Sequence, residues 1–476
     1  MEETGNKIFK NFGGSTFFSV INQVIGVATS VKVTSYLGVE KYGLFSLLMV
    51  QVTLFSIIVN FGQRQVVIRY VARHLSSNSV KRIIGYSLRI KVFTFLISGL
   101  FFLIYQSWAK TYTDLSYIIL AVLVLLFLQG LTSTLESVMF GLEKMWQSSA
   151  LNTFTTLMWA VFLFTGPPSW YSLYIIVRTY VILQMMFLLL YTVWVFSVFR
   201  KLEHVEIADS YKFKRFFSDA APFFLLAVFT AVHNNLPIVL LELRSSAVEI
   251  SFFSLGYKLT SPISFMLFTL LMALYPMLCR VAETNRDLLF SRVEMLISVL
   301  LILGLLSASI FSLFSRELVT LLYGKEFLGS ALVIELQVWY LIFFIIFSVF
   351  GTVLSAFNQQ KNLSKLSLAY ALVSLPIFYF ASAHGSQGLS AGYILSAIIN
   401  FSYHVYFFWK WTGKSISLSF LNQVMLLLSI TSILVPLIMR FVVIAFSVKI
   451  LISILLVFVA SLYLLKQYRA FNNGST

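Results

Sequence analysis

The sequence predicts an all-α integral membrane protein with about 14 transmembrane helices, and three observations support this prediction. Hydrophobic residues make up 59% of the 476 residues and charged residues 11%, and the mean hydropathy is +0.90. Such a chain has too little polar surface for a water-soluble fold. Apolar stretches of about 20 residues, the length that crosses the hydrocarbon, recur along the whole chain. The alternating pattern of an outer-membrane β-barrel is missing, so the spans are predicted to be helices.

Glycine, proline and charged clusters divide the apolar sequence into fourteen predicted spans. These spans are residues 12–35, 42–63, 86–108, 115–141, 148–166, 170–199, 217–243, 250–278, 293–314, 331–357, 365–383, 389–409, 418–439 and 441–465. The charged start "MEETGNKIFKNF" leads into the first span without a small-residue cleavage site, so we expect that span to be retained. Between the first two spans, "GVEKYG" contains Gly38 and Gly43, which predict a tight reversal of the chain.

Basic residues predict the orientation. With the N-terminus inside, 24 of the 34 Lys and Arg residues fall on the cytoplasmic side, 7 fall outside and 3 lie within spans. This bias places both termini in the cytoplasm.

The net charge of +16 is spread over short gaps between apolar runs, which indicates a membrane protein and excludes a nucleic-acid-binding face. The basic segment 69–91 is predicted to be a cytoplasmic anchor on anionic lipid. The single cysteine, Cys279, excludes an intramolecular disulfide.

An internal repeat is predicted because the sequence restarts near Tyr211. There "FKRFFSDAAPFFLLAVFTAVHNNLPIVL" echoes the earlier "FKNFGGSTFFSVINQVIGVATSVKV". Six spans separate the two openings, so the repeats are parallel, and a substrate site is expected between them, with alternating access by rocking. The predicted domains are an N-lobe over 1–208, a C-lobe over 209–412, and two extra C-terminal helices with a cytoplasmic tail over 413–476.

Three stretches resemble the polysaccharide transporter family: "YLGVEKYGLFSLL", "LGYKLTSPISFMLFTLLMALYPMLCR" and "LLYGKEFLGSALVIELQVW". That family includes the Wzx-type O-antigen flippases and shares the MOP superfamily with the MATE exporters and the lipid II flippase. The resemblance implies a protein of the bacterial inner membrane with two six-helix lobes in a V plus two C-terminal helices. It would move undecaprenyl-diphosphate-linked repeat units of O-antigen, capsule or exopolysaccharide to the outer leaflet.

The resemblance also implies that spans one, two, seven and eight line a central cavity that is often cationic. The expected partners are the lipid-linked glycan, the bilayer, and polymerase and chain-length proteins of the same pathway. No cofactor is expected, and coupling to a proton or a sodium ion is left open.

Lys258 is the first candidate for binding an anionic headgroup. The sequence "FFSLGYKLTSPISF" places Ser254, Lys258 and Ser261 on one face of a helix, with Pro262 in position to kink it. An ionisable residue inside a membrane span indicates function by default. The alternative is a lysine that snorkels to the outer interface.

A stripe of small and polar residues follows one face of the first span. Its members are Ser15, Ser19, Asn22, Gly26 and Thr29, with Lys32 near its edge. The stripe lines a wet cavity or is a packing seam between helices. Asn22 and Lys32 favour the cavity, although Lys32 is also close enough to the outer end to snorkel.

The inner end of the second span carries "NFGQR". Asn60, Gln63 and Arg64 are predicted to form a cytoplasmic vestibule, since arginine offers a bidentate fork to phosphate oxygens. The competing interpretation, which the basic residues that follow favour, is that Arg64 is a positive-inside anchor.

Two carboxylates and an arginine are candidates for ion coupling. Glu136 is predicted to pair with Arg178 in a structural ion pair, or to act as a proton-coupling carboxylate. Asp219 precedes a proline, which favours a helix N-cap over a coupling site. His233 and Asn234 lie deep in the seventh span and are expected to face the cavity, or else to be satisfied by structural hydrogen bonds.

Other functions are less compatible with the sequence. A polysaccharide polymerase or ligase needs a large outer loop, yet every predicted outer gap is short, and no P-loop or HExxH motif is present. We therefore expect no enzymatic activity. A MATE-like antiporter of small molecules has the same architecture and stays an alternative. The candidate cavity residues are mainly basic, which favours an anionic substrate.

Overall fold

The computed structural model describes residues 2–73, 77–112, 115–167, 171–200, 212–284, 286–357, 359–412 and 446–473. Within these ranges it contains 14 α-helices and no β-strand, which confirms the predicted all-α fold. The predicted thirteenth span, residues 418–439, and the first residues of the fourteenth lie outside the described residues.

The helices follow the predicted spans closely. The first eight are α1 (Glu2–Asn60), α2 (Gln63–Arg73), α3 (Ser77–Ala109), α4 (Ser116–Gly141), α5 (Met145–Thr165), α6 (Leu173–Phe199), α7 (Phe213–Asn234) and α8 (Leu236–Arg244). The others are α9 (Ala247–Thr284), α10 (Arg286–Leu322), α11 (Ser330–Ala356), α12 (Gln360–Ser382), α13 (Gly385–Thr412) and α14 (Phe446–Asn473). By length and composition, eight of the described helices can cross a membrane, namely α1, α3, α4, α6, α7, α10, α11 and α12.

The reversal predicted between the first two spans occurs inside α1. Gly38 interrupts the helix with φ 68° and ψ −179°, a conformation that glycine adopts without a steric penalty. Gly43 is helical and has a different role from the predicted one. A Cβ at Gly43 would collide with the carbonyl oxygen of Ala247, so this glycine permits a close approach of α1 to the start of α9.

Hydrogen bonds fix the directions of the two parts of α1. Before Gly38, Tyr36 donates to the carbonyl of Leu163, which helps to set the first part along α5. After Gly38, Ser98 of α3 donates to the carbonyl of Phe55, which sets the second part against α3. The two parts are therefore two separate helical segments, and their crossing of the membrane as two spans stays a prediction.

The first compact unit extends to Ser251. Within it, α1 packs against α3, α4 and α5, while α2 and α6 both pack on α4. Helices α7 and α8 pack on α1, and α7 also contacts α2 and α3. A buried apolar cluster that includes Val67, Ile83, Val138 and Phe216 joins α2, α3, α4 and α7.

The second compact unit begins at Phe252. Its central helix is α11, which packs against α10, α12 and α13. Helix α14 packs on α10, where Lys449 donates to a carboxylate oxygen of Glu317 over 2.6 Å. The boundary between the two compact units, after Ser251, does not test the repeat boundary predicted between residues 208 and 209, because packing contacts and sequence repeats define different boundaries. The repeat boundary stays a prediction.

Candidate functional site

The turn between α1 and α2 positions the first set of candidate residues. Phe61 and Gly62 both have positive φ, 44° and 65° respectively. The Phe61 ring stacks on Phe217 and on Phe224 of α7, with centroid distances of 4.7 and 4.8 Å. A Cβ at Gly62 would overlap the backbone of Ala220 and Phe224. The turn therefore requires glycine, both for its conformation and for its close contact with α7.

Lys91 is the centre of a polar group that we call the inner cluster. The name refers to the cytoplasmic side, where the orientation predicted from the basic residues puts this group. Its members are Asn60, Gln63, Arg64, Ser87, Lys91, Gly130, Ser133, Thr134 and Glu136. The Lys91 side chain is only 4% exposed. Its Nζ donates to Asn60 Oδ1 over 2.9 Å, to the Gly130 carbonyl and to Ser133 Oγ. Three oxygen acceptors thus replace the water that the ammonium loses on burial.

Arg64 and Glu136 form the exposed edge of the inner cluster. The Arg64 guanidinium pairs with the Glu136 carboxylate, and the two side chains are 41% and 31% exposed. The guanidinium also lies 4.6 Å from the centre of the Phe140 ring. The predicted pair of Glu136 with Arg178 is wrong, because Arg178 is exposed on α6 and forms no ion pair within the described residues. The inner cluster therefore contains two basic side chains and one carboxylate.

A second polar group lies where α8 meets α1 and α3, and we call it the outer cluster. Its members are Gln51, Tyr105, Gln106, Thr111, Tyr112 and Glu242. The Glu242 carboxylate accepts hydrogen bonds from the Tyr105 and Thr111 hydroxyls. It also accepts from Gln51 Nε2 over 3.1 and 3.2 Å. No basic side chain pairs with Glu242 in the described part of the chain. A carboxylate held only by neutral donors is the distinguishing feature of this cluster.

Lys258 lies in α9 and is partly buried. Its ammonium has neither a carboxylate nor a hydrogen-bond partner among the described residues. Of the residues predicted to share its face, Ser254 has a buried hydroxyl with no hydrogen-bond partner in the part of the chain that the structure describes, and the Ser261 hydroxyl donates to the Lys258 carbonyl over 3.4 Å. The predicted face is therefore polar and contains a basic side chain that no described carboxylate neutralises.

The stripe in the first span contacts α5 at its start. The Ser15 and Ser149 hydroxyls are hydrogen-bonded over 2.9 Å, as expected of a packing seam. Asn22 Oδ1 is buried without a hydrogen-bond partner in the described residues. Lys32 Nζ lies 5.3 Å from the centre of the Phe164 ring. The cavity role of Asn22 and Lys32 stays a prediction.

The seventh predicted span is a broken helix. Helix α7 ends at Asn234 and α8 begins at Leu236, with Pro237 in its first turn, because proline has no N–H group to continue the helix. His233 and Asn234 lie at this break, and Asn234 is exposed. Their predicted contact with substrate stays a prediction.

The predicted N-cap at Asp219 is wrong. Helix α7 begins six residues earlier, at Phe213, with Lys212 as its N-cap residue. Asp219 instead lies inside the helix and pairs with Arg69 of α2 over 3.3 Å. It thereby joins α7 to α2 on the side predicted to be cytoplasmic.

Sequence reasoning missed Lys91 and Glu242. The prediction that Lys91 belongs to a lipid anchor is wrong, since the residue is buried within α3. The available signal was its position inside the predicted span 86–108, one turn after Ser87. Glu242 similarly lies inside the predicted span 217–243.

Within the described ranges, no group of three or more His, Cys, Asp or Glu residues is placed to hold a metal ion.

Comparison with known proteins adds a family and a fold. The family described as "Polysaccharide biosynthesis protein" matches residues 8–282, which is more than half of the chain. Among curated proteins, no sequence matches this chain. The matched segment contains the inner cluster, the outer cluster and Lys258.

Solved transporter structures share the fold at low sequence identity. "Lipid II flippase MurJ, inward closed conformation" has a TM-score of 0.67 at 14% identity, covering 94% of this chain and 97% of its own. An inward-facing MATE family transporter of the MOP superfamily, described as a multidrug resistance protein, has a TM-score of 0.61 at 11% identity, covering 84% of this chain and 96% of its own. A MOP superfamily transporter from Pyrococcus furiosus has a TM-score of 0.52 at 12% identity, covering 84% and 95%. The chain therefore shares the fold of these transporters.

Proposed function

The chain belongs to the polysaccharide biosynthesis protein family, and from this premise we propose that it is a flippase for lipid-diphosphate-linked oligosaccharides. The substrate class is an undecaprenyl-diphosphate-linked repeat unit of O-antigen, capsule or exopolysaccharide. The protein carries it from the cytoplasmic to the outer leaflet of the bacterial inner membrane by alternating access. It acts as a transporter and not as an enzyme.

The observation that carries this proposal is the unpaired cation of Lys258. A charge inside the bilayer is costly and persists where it serves function. Within the described residues, no carboxylate neutralises this ammonium. A diphosphate headgroup is an anion that supplies the missing counter-charge during its passage. The ammonium and the diphosphate therefore each lower the free-energy cost of placing the other's charge in the membrane.

The inner cluster supports the same substrate class. The Arg64 side chain is 41% exposed, and its guanidinium offers further N–H donors beyond those used by Glu136. Phosphate oxygens match the arginine fork in two parallel hydrogen bonds. Lys91 behind it contributes positive charge without being exposed. This arrangement favours the first encounter with a diphosphate on the cytoplasmic side.

The physical role of the protein follows from these charges. The lipid tail stays in hydrocarbon throughout, so only the headgroup needs a polar route. Fixed cations and hydrogen-bond donors replace the water that the diphosphate and the sugars lose. A MATE-like exporter of organic cations calls for carboxylates in place of lysine and arginine, and the basic candidates therefore favour the anionic lipid.

The test is the leaflet distribution of lipid-linked repeat units in cells depleted of this protein, read with a sugar probe confined to the periplasm. We expect intact units to accumulate on the cytoplasmic face. Units that reach the periplasm but stay unpolymerised would indicate an enzyme of the same pathway. An unchanged distribution would contradict the proposal and direct attention to a small-molecule exporter.

Complementation of the depleted cells tests the role of Lys258. We expect Lys258→Ala to restore less than a tenth of wild-type export, and Lys258→Arg, which keeps the charge, to restore most of it. Membrane levels of both variants must equal that of the wild type. Equal export by the two variants would place Lys258 among the anchoring residues.

A further inference from the structure

We propose that Glu242 is a proton-exchange site of this transporter, and that its protonation releases α8 from α1 and α3. The inference rests on the proposed function in one respect only, the assumption that the protein changes conformation during transport. It stands on the geometry of the outer cluster.

The first step in the argument is the missing counter-charge. A largely buried carboxylate is normally paired with a cation, bound to a metal or protonated, because an isolated charge in a low dielectric is costly. Glu242 has no ion-pair partner within the described ranges. Its partners are three neutral groups, the hydroxyls of Tyr105 and Thr111 and the amide of Gln51.

The chemistry of these partners points to a proton in place of a metal ion. The Tyr105 and Thr111 hydroxyls and the Gln51 amide all act as hydrogen-bond donors, so they point hydrogens at the carboxylate and their lone pairs point away from it. A bound metal ion needs oxygen lone pairs around it, so the donors would all have to turn away. A proton needs only one carboxylate oxygen and one acceptor for the new O–H group.

Such an acceptor is present in the cluster. Gln106 Oε1 is buried and accepts no hydrogen bond from the described residues. The Gln106 amide lies beside Gln51, with its Nε2 3.5 Å from Gln51 Oε1. The Tyr112 hydroxyl is also buried without a partner in the described part of the chain. The outer cluster therefore has unused hydrogen-bonding capacity that a protonated Glu242 can satisfy.

The groups that face Glu242 from the described residues carry no charge. From α3 and the turn after it come Tyr105 and Tyr112, and from α1 comes the uncharged Gln51. Helix α7 brings no charged group to it from the described residues. Burial, and then the negative charge of Glu242, raise the pKa of the Tyr112 phenol, so that side chain stays neutral.

The proton step has a direct structural consequence. When one Glu242 oxygen takes a proton from water, an O–H bond forms, and that oxygen loses the hydrogen bonds donated to it by Gln51 and by Tyr105 or Thr111. The lost bonds are links from α8 to α1 and to α3 or the turn after it. Because the chain is already broken at Asn235, between α7 and α8, helix α8 can move without bending α7. Release of the proton restores the links.

Infrared difference spectroscopy of the purified full-length protein in lipid tests the proton site directly. As the pH falls, we expect the C=O stretching band of a protonated carboxylic acid to appear, to be absent in Glu242→Gln, and to shift in frequency in Glu242→Asp. The control removes a carboxylate that has a cation beside it. The variant used is Glu317→Gln, because Glu317 pairs with Lys449 over 2.6 Å, and its loss should leave that band in place. A band that persists unchanged in Glu242→Gln would overturn the proposal.

A distance measurement tests the release of α8. Spin labels at Trp108→Cys on α3 and Leu243→Cys on α8, in a Cys279→Ser background, should give a distance that lengthens at acid pH. In Glu242→Gln, the uncharged mimic, the long distance should persist at every pH. A distance that is independent of pH in the wild type would overturn the release of α8. Neither readout uses a glycan, so a positive result together with a failure of glycan transport would overturn the flippase and uphold the proton site.

Discussion

The inner and outer clusters both contain residues of α1 and α3, but they stabilise an ionisable side chain in different ways. In the inner cluster, Lys91 has three oxygen acceptors, and the neighbouring Arg64 and Glu136 form an ion pair. In the outer cluster, Glu242 has three donors and no ion-pair partner in the described residues. We propose that this difference separates a region that binds the substrate anion from a region that exchanges a proton.

The largest effect is expected from removing the buried cation of the inner cluster. Lys91→Ala leaves the Gly130 carbonyl and the Asn60 and Ser133 side chains without their shared donor. We expect a loss of about 3 kcal/mol in the free energy of unfolding, measured by denaturant titration in detergent. The control is Lys81→Ala on the exposed face of α3, which should change that free energy by less than about 0.5 kcal/mol. Similar losses in the two variants would show that Lys91 is an ordinary surface anchor.

The next largest effect is expected from Gly62→Ala, in the turn that joins α1 to α2 beside the inner cluster. Gly62→Ala places a Cβ against the backbone of α7 in a residue with φ 65°. We expect destabilisation of about 2 kcal/mol in the same titration. Gly85→Ala in α3, where a Cβ meets no atom within 4 Å, should instead stabilise by up to about 1 kcal/mol. A neutral Gly62→Ala would mean that α7 does not depend on this contact.

A double-mutant cycle tests whether the outer cluster is held by an ionised carboxylate. Thr111→Val removes one donor to Glu242, and Glu242→Gln removes the charge. We expect a coupling free energy of about 1 kcal/mol at neutral pH, because hydrogen bonds to charged groups are stronger than those between neutral groups. The coupling should shrink at acid pH. Thr165→Val, which removes an exposed hydroxyl that donates to its own helix, is the control and should show no coupling.

The smallest effect is expected at the exposed ion pair of Arg69 with Asp219. Their side chains are 48% and 31% exposed and the N–O distance is 3.3 Å. Water and salt screen such a pair, so a double-mutant cycle should give less than about 1 kcal/mol, falling further at high salt. A larger coupling free energy that does not depend on salt would contradict this expectation and show that the pair of Arg69 with Asp219 stabilises the fold as a buried pair would.

The sequence predicted what is local, and it failed where partners are distant in the chain. The reversal at Gly38 was predictable because one glycine provides the left-handed backbone that a turn needs. The partners of Glu242 were not predictable, since Gln51 and Tyr105 lie 191 and 137 residues away. The N-cap predicted at Asp219 failed for another reason, because helix α7 begins earlier, at Phe213.

The candidate cations show the same limit. Periodicity placed Lys258 on a polar face, and the structure adds that its ammonium lacks a counter-charge among the described residues. Glu136 and Arg178 were expected to pair because both are ionisable residues inside predicted spans, whereas the partner of Glu136 is Arg64, which follows the turn at Gly62. A prediction of ion pairs between helices needs the crossing geometry, and a single sequence does not contain it.

The most direct test of the central claim uses the purified protein in vesicles with a fluorescent lipid-diphosphate-linked oligosaccharide and a quencher that cannot cross the membrane. We predict that the wild-type protein and Lys258→Arg expose the lipid-linked sugar to the quencher from both leaflets, at least tenfold faster than protein-free vesicles, and that Lys258→Ala does not. Movement of the lipid no faster than in protein-free vesicles, with the wild-type protein correctly inserted, would contradict the account.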